Sequence, residues 1–480
     1  MGMTVTRRNV WTLSTAANVW HPTLLAYGQA VRAMQALPIT DPRSWAYQSA
    51  IHGLAGTAPP PGAPWNECQH ATWFFLPWHR MYLFQFEQIV RSFVVNDGGP
   101  ADWALPYWDY SKPNQNSLPL PFRQRRLPDN TPNPLFVAQR RTGSTNINNG
   151  DPVPSSAASS TAAMRATVFT TPSTGSPLGF GGPRTGFAHF GPGPGALENQ
   201  PHNVMHVVIG GSGGLMSNPD TAASDPIFWL HHANIDRLWE TWRLSGRTNP
   251  TTQQWLSASY RLRDVNGAAI RMRVADVLDA KAQLDYQYDT AGAPVGAPVG
   301  AAPAVPPAQG VAVSRRRSKM VARSAAPEPL GRNGLETTIT VGDLPAPRRP
   351  RRQGFAAAAT DADADADETR FQLELADIVG TANPGVVYGV YVNLPAGPTD
   401  DDLESHQVGA VSMFGIEHST PNATGSANQP LRYVFDITGH VTSAGDQIQV
   451  SLRPLPGLDA PARGAAPPDL QIGTIAIHAT

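Results

Sequence analysis

The sequence predicts a mainly helical domain with long loops, followed by a small antiparallel β-sandwich domain. Residues 11–110 place apolar side chains at helical spacing, as in Leu24–Leu37 and Tyr82–Phe93. Residues 113–195 are rich in Pro, Gly, Ser and Thr, which predicts long loops. From Phe371 the apolar pattern changes to period two, which is typical of strands with one buried face.

Two further helices are predicted after the loops. One begins near Gln200, and the next begins at Ser224 or Asp225 and runs through Trp242. Pro226 would occupy the first helical position, where its missing N–H costs no hydrogen bond. The strands are predicted from five alternating segments: FQLEL, VVYGVYVNL, YVFDI, QIQVSLRPL and TIAIH.

Composition divides the chain into a helical domain over 1–289, a linker over 290–330 and a β domain over 331–480. The linker starts with AGAPVGAPVGAAPAVPPAQG, which has too few large apolar residues to form a core. Arginine clusters lie at 314–319 and 347–352, the second within a flexible insertion at 345–369. Because Pro, Ala and acidic residues surround these clusters, we expect solvated, protease-accessible tethers rather than a nucleic-acid surface.

Charge and cysteine content exclude several classes of protein. The net charge is -1, so no overall field attracts nucleic acid or a charged membrane. A single cysteine, Cys68, excludes an intrachain disulfide framework and a cysteine-only metal site. No apolar run approaches the ~18 residues of a membrane span, and no signal peptide is evident. We therefore expect a cytoplasmic protein with no nucleic-acid or membrane partner, for which a homo-oligomer is permitted.

Six histidines form two groups of three. His202 and His206 are four residues apart, so on a helix they lie on one face. His70 and His79 are nine apart, about half a turn out of phase, which places His70 on the loop before the helix of His79. The first group is His52, His70 and His79, and the second is His202, His206 and either His231 or His232.

Spacing favours His232 over His231 as the sixth member. Asp236 is one turn beyond His232 and could lie on the ligand side of that helix, whereas His231 points about 100° away. Burying six imidazoles among Trp, Phe and Leu without partners would be expensive, and two metal ions would remove that cost. Imidazole ligation suits copper or zinc. A two-zinc hydrolase is disfavoured because no bridging carboxylates are placed here.

Four segments resemble the two copper-binding signatures of the tyrosinase, catechol oxidase and molluscan haemocyanin superfamily: HATWFFLPWHRMYLFQFE, LPYWDY, PHNVMH and DPIFWLHHANIDRLW. The resemblance spans roughly residues 45–245. It implies a four-helix-bundle type 3 copper domain, in which a pair of copper ions reacts with dioxygen. It also implies that His231 is a neighbour of the ligands. The copper ligands that it implies are His52, His70 and His79 for the first ion and His202, His206 and His232 for the second.

The resemblance extends to residues around the ligands. Cys68 stands two before His70, as in fungal-type members that carry a thioether between this cysteine and this histidine. A buried free thiol is the alternative. Phe75, four before His79, resembles the aromatic residue that packs against the ligands.

Hydroxylation of a monophenol also requires removal of the phenolic proton, whose pKa is ~10. Many tyrosinases resemble this chain at Glu198 and Asn203, which are thought to hold a water that accepts the proton. The alternative role for Glu198 is capping of a helix N-terminus. Val207 offers no charge, and Met216 is the candidate for the gate over the first copper.

The β domain resembles the domain that covers the copper site in plant and fungal polyphenol oxidases, with Phe414 as the candidate plug of the pocket. A role only in folding, copper delivery or oligomer formation is the alternative. The resemblance implies a tyrosinase that converts monophenols and o-diphenols to o-quinones. One alternative is a catechol or o-aminophenol oxidase with little monophenolase activity. Another is a haemocyanin-like oxygen carrier, which needs the same six histidines.

Overall fold

The computed structural model describes residues 4–172, 176–290, 318–342, 369–419, 430–458 and 469–480. Within these ranges, no helix is both long and apolar enough to cross a membrane. The arginine cluster at 347–352 and nearly all of the 345–369 insertion lie outside the described residues. The helices are α1 Val10–Leu13, α2 Pro22–Gln35, α3 Trp45–His52, α4 Phe75–Asn96, α5 Leu120–Arg123, α6 Ser155–Ala158, α7 Thr161–Arg165, α8 Val204–Gly210, α9 Pro219–Ala222, α10 Ile227–Leu244, α11 Gln253–Leu256, α12 Ala280–Leu284, α13 Asp400–His406 and α14 Ile416–Ser419.

The first domain is a helical core built around α4 and α10. Both predicted helical segments near the N-terminus are confirmed, since they correspond to α2 and to part of α4. Helix α10 begins directly after Pro226 and ends two residues beyond the predicted Trp242. The helix predicted near Gln200 is instead a short π-helical turn, Glu198–Asn203, followed by α8. The described residues of 113–195, which leave out 173–175, contain only short elements, as predicted.

The second domain consists of two antiparallel sheets. The strands of the described residues are β1 Val5–Arg7, β2 Thr170–Thr171, β3 Gly182–Pro183, β4 Ser259–Arg263, β5 Ala269–Arg273, β6 Tyr286–Tyr288, β7 Lys319–Arg323, β8 Glu328–Pro329, β9 Leu335–Thr340, β10 Phe371–Val379, β11 Val387–Val392, β12 Gln407–Ser412, β13 Leu431–Asp436, β14 Gln447–Pro454 and β15 Gln471–Ala479. One sheet of this domain has the strand order β13-β10-β15-β7, with β8 beside β15, and the other has the order β12-β11-β14-β9.

All five predicted strand segments are confirmed as β10, β11, β13, β14 and β15. Inward side chains from both sheets share one hydrophobic core that is separate from the core of the helical domain. Strand β7 pairs with β15, so the sheet domain begins by Lys319 rather than at residue 331 as predicted. Strand β7 has only five residues, and its three apolar residues are consecutive, so it lacks the alternation that would distinguish it from a linker by sequence.

The sheet domain packs directly on the helical domain. Asn383 donates a hydrogen bond to the carbonyl of Ser217 at 2.9 Å, and Arg141 donates to the carbonyl of Gly385 at 2.5 Å. Several apolar residues of the sheet domain belong to the helical core cluster: Val387, Ala410, Phe414, Leu455 and Leu458. The two domains therefore share a buried apolar contact, and Phe414 is part of it.

Candidate metal centre

The first histidine group is assembled from α3, the following loop and α4. His52 is the last residue of α3, His70 lies on the loop, as predicted, and His79 lies in the first turns of α4. Gly53 allows this end of α3 to approach α9, because a Cβ there would lie 2.7 Å from the Cα of Asp220. The three ligand atoms of the group lie within 4.8 Å of one another, and all three rings are buried.

One ring nitrogen of each histidine is used by the protein. The Nδ1 atoms of His52 and His79 lie 2.9 and 2.8 Å from the carbonyl oxygens of Pro219 and Phe75. The Nδ1 atom of His70 lies 3.2 Å from the Sγ of Cys68. The three Nε2 atoms are buried and have no hydrogen-bond partner. A metal ion would satisfy all three, since a ligating imidazole commonly uses its second nitrogen for orientation.

The second group has the same organisation. The Nε2 atom of His206 lies 3.1 Å from that of His202 and 3.3 Å from that of His232, and the other pair is 3.3 Å apart. The Nδ1 atom of His202 lies 2.8 Å from the Oδ1 of Asn203, and that of His206 lies 2.8 Å from the carbonyl of Met216. Three imidazole nitrogens that converge so closely fit one metal ion between them.

His231 lies beside this group, with one ring nitrogen within 4.8 Å of a ligand atom of each of the other three histidines. Its ring stacks on that of His202 with centroids 5.3 Å apart, and it lies 5.7 Å from the ring of Tyr110. The Nε2 atoms that lie within 3.3 Å of one another belong to His202, His206 and His232. These distances agree with the prediction that His232, and not His231, is the third ligand of this group.

The two groups form one site. The rings of His79 and His232 stack with centroids 4.4 Å apart at 13°. Phe75 lies between the groups, with its ring 4.6 Å from those of His79 and His202, which is the packing position predicted for it. Burial lowers the pKa of His52 to about 3 and lowers the pKa values of the other five well below 6.5. Neutral imidazoles are the form that binds metal ions.

Cys68 is fully buried beside two imidazoles. Its Sγ lies 3.2 Å from the Nδ1 of His70 and 3.2 Å from the Nδ1 of His189. Burial raises the pKa of the thiol, so the sulfur is protonated at neutral pH. The position agrees with the predicted partner, His70, and adds a neighbour that spacing could not reveal, since His189 is 121 residues away.

Glu198 is held away from the end of α8. Its Oε1 accepts a hydrogen bond from the backbone N–H of Ala71 at 2.6 Å, next to His70. Its Oε2 is buried with no partner. Burial raises the pKa of Glu198 well above 4.5, against the lowering effect of hydrogen bonds from Ala71 and Gly195. The carboxyl group therefore anchors the loop that carries His70, and the hydrogen bond from Gly195 also connects it to the residue that precedes its own helical turn.

One predicted position needs correction. The carboxylate of Asp236 contacts Arg80 at 2.5 Å, Arg7 at 3.3 Å and the hydroxyls of Tyr286 and Tyr288 at 2.6 Å. It therefore stabilises the packing of α10 against Arg80 and Arg7, and its contacts are with these residues and not with the ligands. Four residues along a helix advance about 400°, and that offset of ~40° from His232 is enough to reach the adjacent arginines.

The carbonyl of Met216 faces the Nδ1 atom of His206 at 2.8 Å, and gating of the first copper by its side chain stays a prediction. Val207 follows His206, and its carbonyl accepts a hydrogen bond from Arg141 at 3.0 Å. Both side chains are buried. Gating by Val207 stays a prediction.

Phe414 lies over both histidine groups. Its ring stacks on that of His206 with centroids 4.2 Å apart at 19°. It also meets the rings of His70 and His202 edge-on, at 5.8 Å each. Sequence reasoning missed its neighbour Phe190, whose ring stacks on His70 at 5.0 Å. Phe190 lies in the long loops, where no periodicity marks a buried position.

Two adjacent sets of three converging imidazoles define a protein with a binuclear, histidine-ligated metal centre. Residues 42–245 match the common central domain of tyrosinase, and residues 249–295 match the polyphenol oxidase middle domain. Tyrosinase HcTyr1 from Hahella sp. (strain CCB-MM4) is 34% identical in a gapped alignment of 509 positions. That alignment covers 98% of this chain and 99% of that protein. The chain therefore belongs to the tyrosinase family. As in that family, it is a copper oxidoreductase whose cofactor is a pair of copper ions and whose co-substrate is dioxygen.

Other relatives cover the chain less completely. The latent form of polyphenol oxidase from Prunus armeniaca is 32% identical in an alignment of 290 positions. That alignment covers 56% of this chain and 47% of that protein. Residues 317–479 match a domain of unknown function. The structure of latent apple tyrosinase covers 100% of this chain and 98% of its own, with a TM-score of 0.60 at 22% identity. That similarity shows a shared fold, a helical core followed by an antiparallel sheet domain.

Proposed function

We propose that the chain is a tyrosinase that hydroxylates monophenols and oxidises o-diphenols to o-quinones. The observation that carries this proposal is the convergence of six buried imidazoles beside a buried carboxyl group with one free oxygen. Five of the six proposed ligands lie on helical segments that would form the four-helix bundle of a type 3 copper domain, and His70 lies on the loop before α4. The six ligands are His52, His70, His79, His202, His206 and His232.

When bound, the copper pair supplies the activation of dioxygen and the transfer of electrons. The protein's own residues orient the imidazoles through Nδ1 and exclude water from the site. Asn203 accepts a hydrogen bond from the Nδ1 of His202 and so directs its Nε2 towards the centre. Phe75 restricts the rotation of the rings of His79 and His202.

Glu198 would take the proton of a monophenol through a water molecule, with Asn203 on the other side of that water. Its Oε2 is free, and burial raises its pKa towards that of the phenol, which makes the carboxylate a stronger base. An o-diphenol does not require this base to the same extent. The assignment as a monophenolase is also supported by the 34% identity to Tyrosinase HcTyr1 along almost the whole chain.

The sheet domain would close the substrate pocket, with Phe414 as the plug. A phenol that approaches the two metal ions must occupy the space beside His206 that the ring of Phe414 fills. Displacement or cleavage of the domain would then be needed for full activity. Of the arginine clusters proposed as cleavage sites, 347–352 and most of 314–319 lie outside the described residues.

The test is the turnover of L-tyrosine and L-DOPA by the copper-loaded chain, before and after limited trypsin. Turnover of both substrates supports a tyrosinase, whereas turnover of L-DOPA alone supports a catechol oxidase. Reversible dioxygen uptake without turnover, even after cleavage, would support an oxygen carrier. Phe414→Ala is expected to raise the activity of the uncleaved chain, whereas Phe187→Ala, at an exposed position, is not.

A further inference from the structure

A third cluster of metal-binding side chains lies where the two domains meet. His189 belongs to the long loops, Asp220 to α9 and His418 to α14 of the sheet domain. One ligand atom from each lies within 4.8 Å of the other two, the same separation that holds within the two copper sites. None of these residues belongs to the six proposed copper ligands.

The side chains of the cluster are held in place by other contacts. The ring of His418 stacks on that of Phe190 with centroids 4.7 Å apart at 5°, and it meets the ring of His189 edge-on at 5.3 Å. The Nδ1 atom of His189 lies 3.1 Å from the carbonyl of Cys68, which leaves its Nε2 for a ligand. The arrangement resembles that of the six copper ligands, each of which would bind through Nε2.

Two donor atoms of the cluster, from His418 and Asp220, face each other. The Nε2 atom of His418 is buried and makes no well-aligned hydrogen bond, although it lies 3.3 Å from the Oδ2 of Asp220. Asp220 offers a carboxylate oxygen, and His189 and His418 each offer an imidazole nitrogen. A carboxylate with neutral imidazoles is a donor set for a divalent transition metal.

We propose that His189, Asp220 and His418 bind a third metal ion, a divalent transition metal, that joins the two domains. Among the first-row divalent ions, Cu²⁺ binds such nitrogen and oxygen donors most tightly, and it is the ion already required by the protein. His418 is four residues from Phe414, so an ion at this joint would hold the plug over the copper pair. That consequence rests on the proposed function, whereas the binding itself does not.

The experiment measures copper per chain after the metal-free, full-length protein is loaded with Cu²⁺ and desalted. We expect three copper ions for the natural chain and two for His418→Ala and for Asp220→Asn. His440→Ala removes an imidazole of the same domain outside the cluster and is expected to keep three. The two ions that remain in the variants also report that the chain is folded.

Paramagnetic resonance gives a second readout, because an isolated Cu²⁺ ion has a signal of its own. We expect that signal to be present in the natural chain and in His440→Ala and absent in the other two variants. Two copper ions in the natural chain, or three in His418→Ala, would overturn the third site and leave the proposed function intact. Loss of the first two ions from the natural chain would instead overturn the copper pair.

Discussion

At the scale of single residues, the site depends on how each imidazole divides its two nitrogens. Five of the six proposed ligands place Nδ1 against a named acceptor or sulfur atom of the protein, and only the Nδ1 of His232 has no partner. The contact at Nδ1 selects the tautomer and the ring orientation, so Nε2 is presented to the metal before the metal arrives. The free energy of ordering the ligands is therefore supplied by folding.

Glu198 should control hydroxylation much more than oxidation. In Glu198→Gln, the contact with the N–H of Ala71 can be kept by the amide oxygen, but the base is lost. We expect turnover of L-tyrosine to fall about 10²-fold, with L-DOPA turnover nearly unchanged. The measurement is the ratio of the two initial rates, with Glu404→Gln in exposed α13 as the control.

The same residue predicts a pH dependence. Because burial raises the pKa of Glu198, the carboxylate is lost as the pH falls through that raised value. L-tyrosine turnover should therefore fall on the acidic side earlier than L-DOPA turnover does. An equal acidic limb for both substrates would contradict the assignment.

Cys68 should be joined to an imidazole in the mature, copper-loaded protein. A thioether between Sγ and the ring of His70 replaces one S–H and one C–H bond with one C–S bond, and dioxygen, the co-substrate, accepts the two electrons and two protons. The chain therefore becomes two hydrogen atoms lighter. We expect this mass together with no thiol that can be alkylated after denaturation. Fragmentation of the linked peptides decides between His70 and His189, which lie equally close. A full-mass chain with one free thiol would leave Cys68 as a buried thiol.

At the scale of elements, activity should depend on how closely the turn before β11 approaches the turn after α8. Gly385 has φ +71°, and a Cβ there would lie 2.2 Å from the backbone nitrogen of Ser212. Gly385→Ala must therefore push this part of the sheet domain outward and weaken the hydrogen bond from Arg141. We expect the L-DOPA turnover of the uncleaved chain to rise towards that of the trypsin-treated chain.

Gly397→Ala is the matched control for that substitution. Gly397 also has a positive φ, +66°, but nothing lies within 4 Å of the added Cβ. The control shares the backbone strain and lacks the clash between domains. Equal activation in the two variants would show that loss of stability, and not separation of the domains, is responsible.

At the scale of the whole molecule, one buried ion-pair network joins the two ends of the helical domain. Strand β1 pairs with β6, and Arg7 of β1 contacts Glu87 of α4 and Asp236 of α10. Arg80 also contacts Asp236, and Arg80 and Arg7 lower the pKa of that carboxylate despite its burial. Strands that are 281 residues apart are thus attached to the helices that carry the ligands.

Asp236→Asn should strongly destabilise the copper-free chain. The substitution removes the negative charge that pairs with the buried guanidinium groups of Arg7 and Arg80. We expect the free energy of unfolding to fall by about 3–5 kcal/mol. Because the folded pKa of Asp236 is lowered, its contribution is present above the unfolded pKa and is lost as the pH falls through the folded one. Asp276→Asn, in an exposed pair with Arg273, should change the free energy by about 0–1 kcal/mol. Urea unfolding measures both, and equal values would contradict this account.

Local pattern was sufficient for much of the fold and of the site. Helical spacing located α2, α4 and α10, and alternation located five strands, because the buried face of each element repeats with its own period. The two-group division of the histidines followed from their spacing, and the roles of Cys68 and Phe75 followed from resemblance to a family. Strand β7 was missed, since its five residues carry three consecutive apolar side chains and no such repeat.

Tertiary structure alone decided the contacts between residues that are far apart in the chain. Helical spacing could not predict the contacts of Asp236, because this residue lies only about 40° around the helix from His232. The packing of Arg80 and Arg7 against α10 decides that its carboxylate contacts them. The same holds for Glu198, whose partner is the backbone of Ala71, and for the meeting of His189, Asp220 and His418. The sequence by itself determined which side chains could bind copper, because ligand chemistry belongs to the residue type. Which of them converge, and what covers them, depends on the packing of two domains, which no local period encodes.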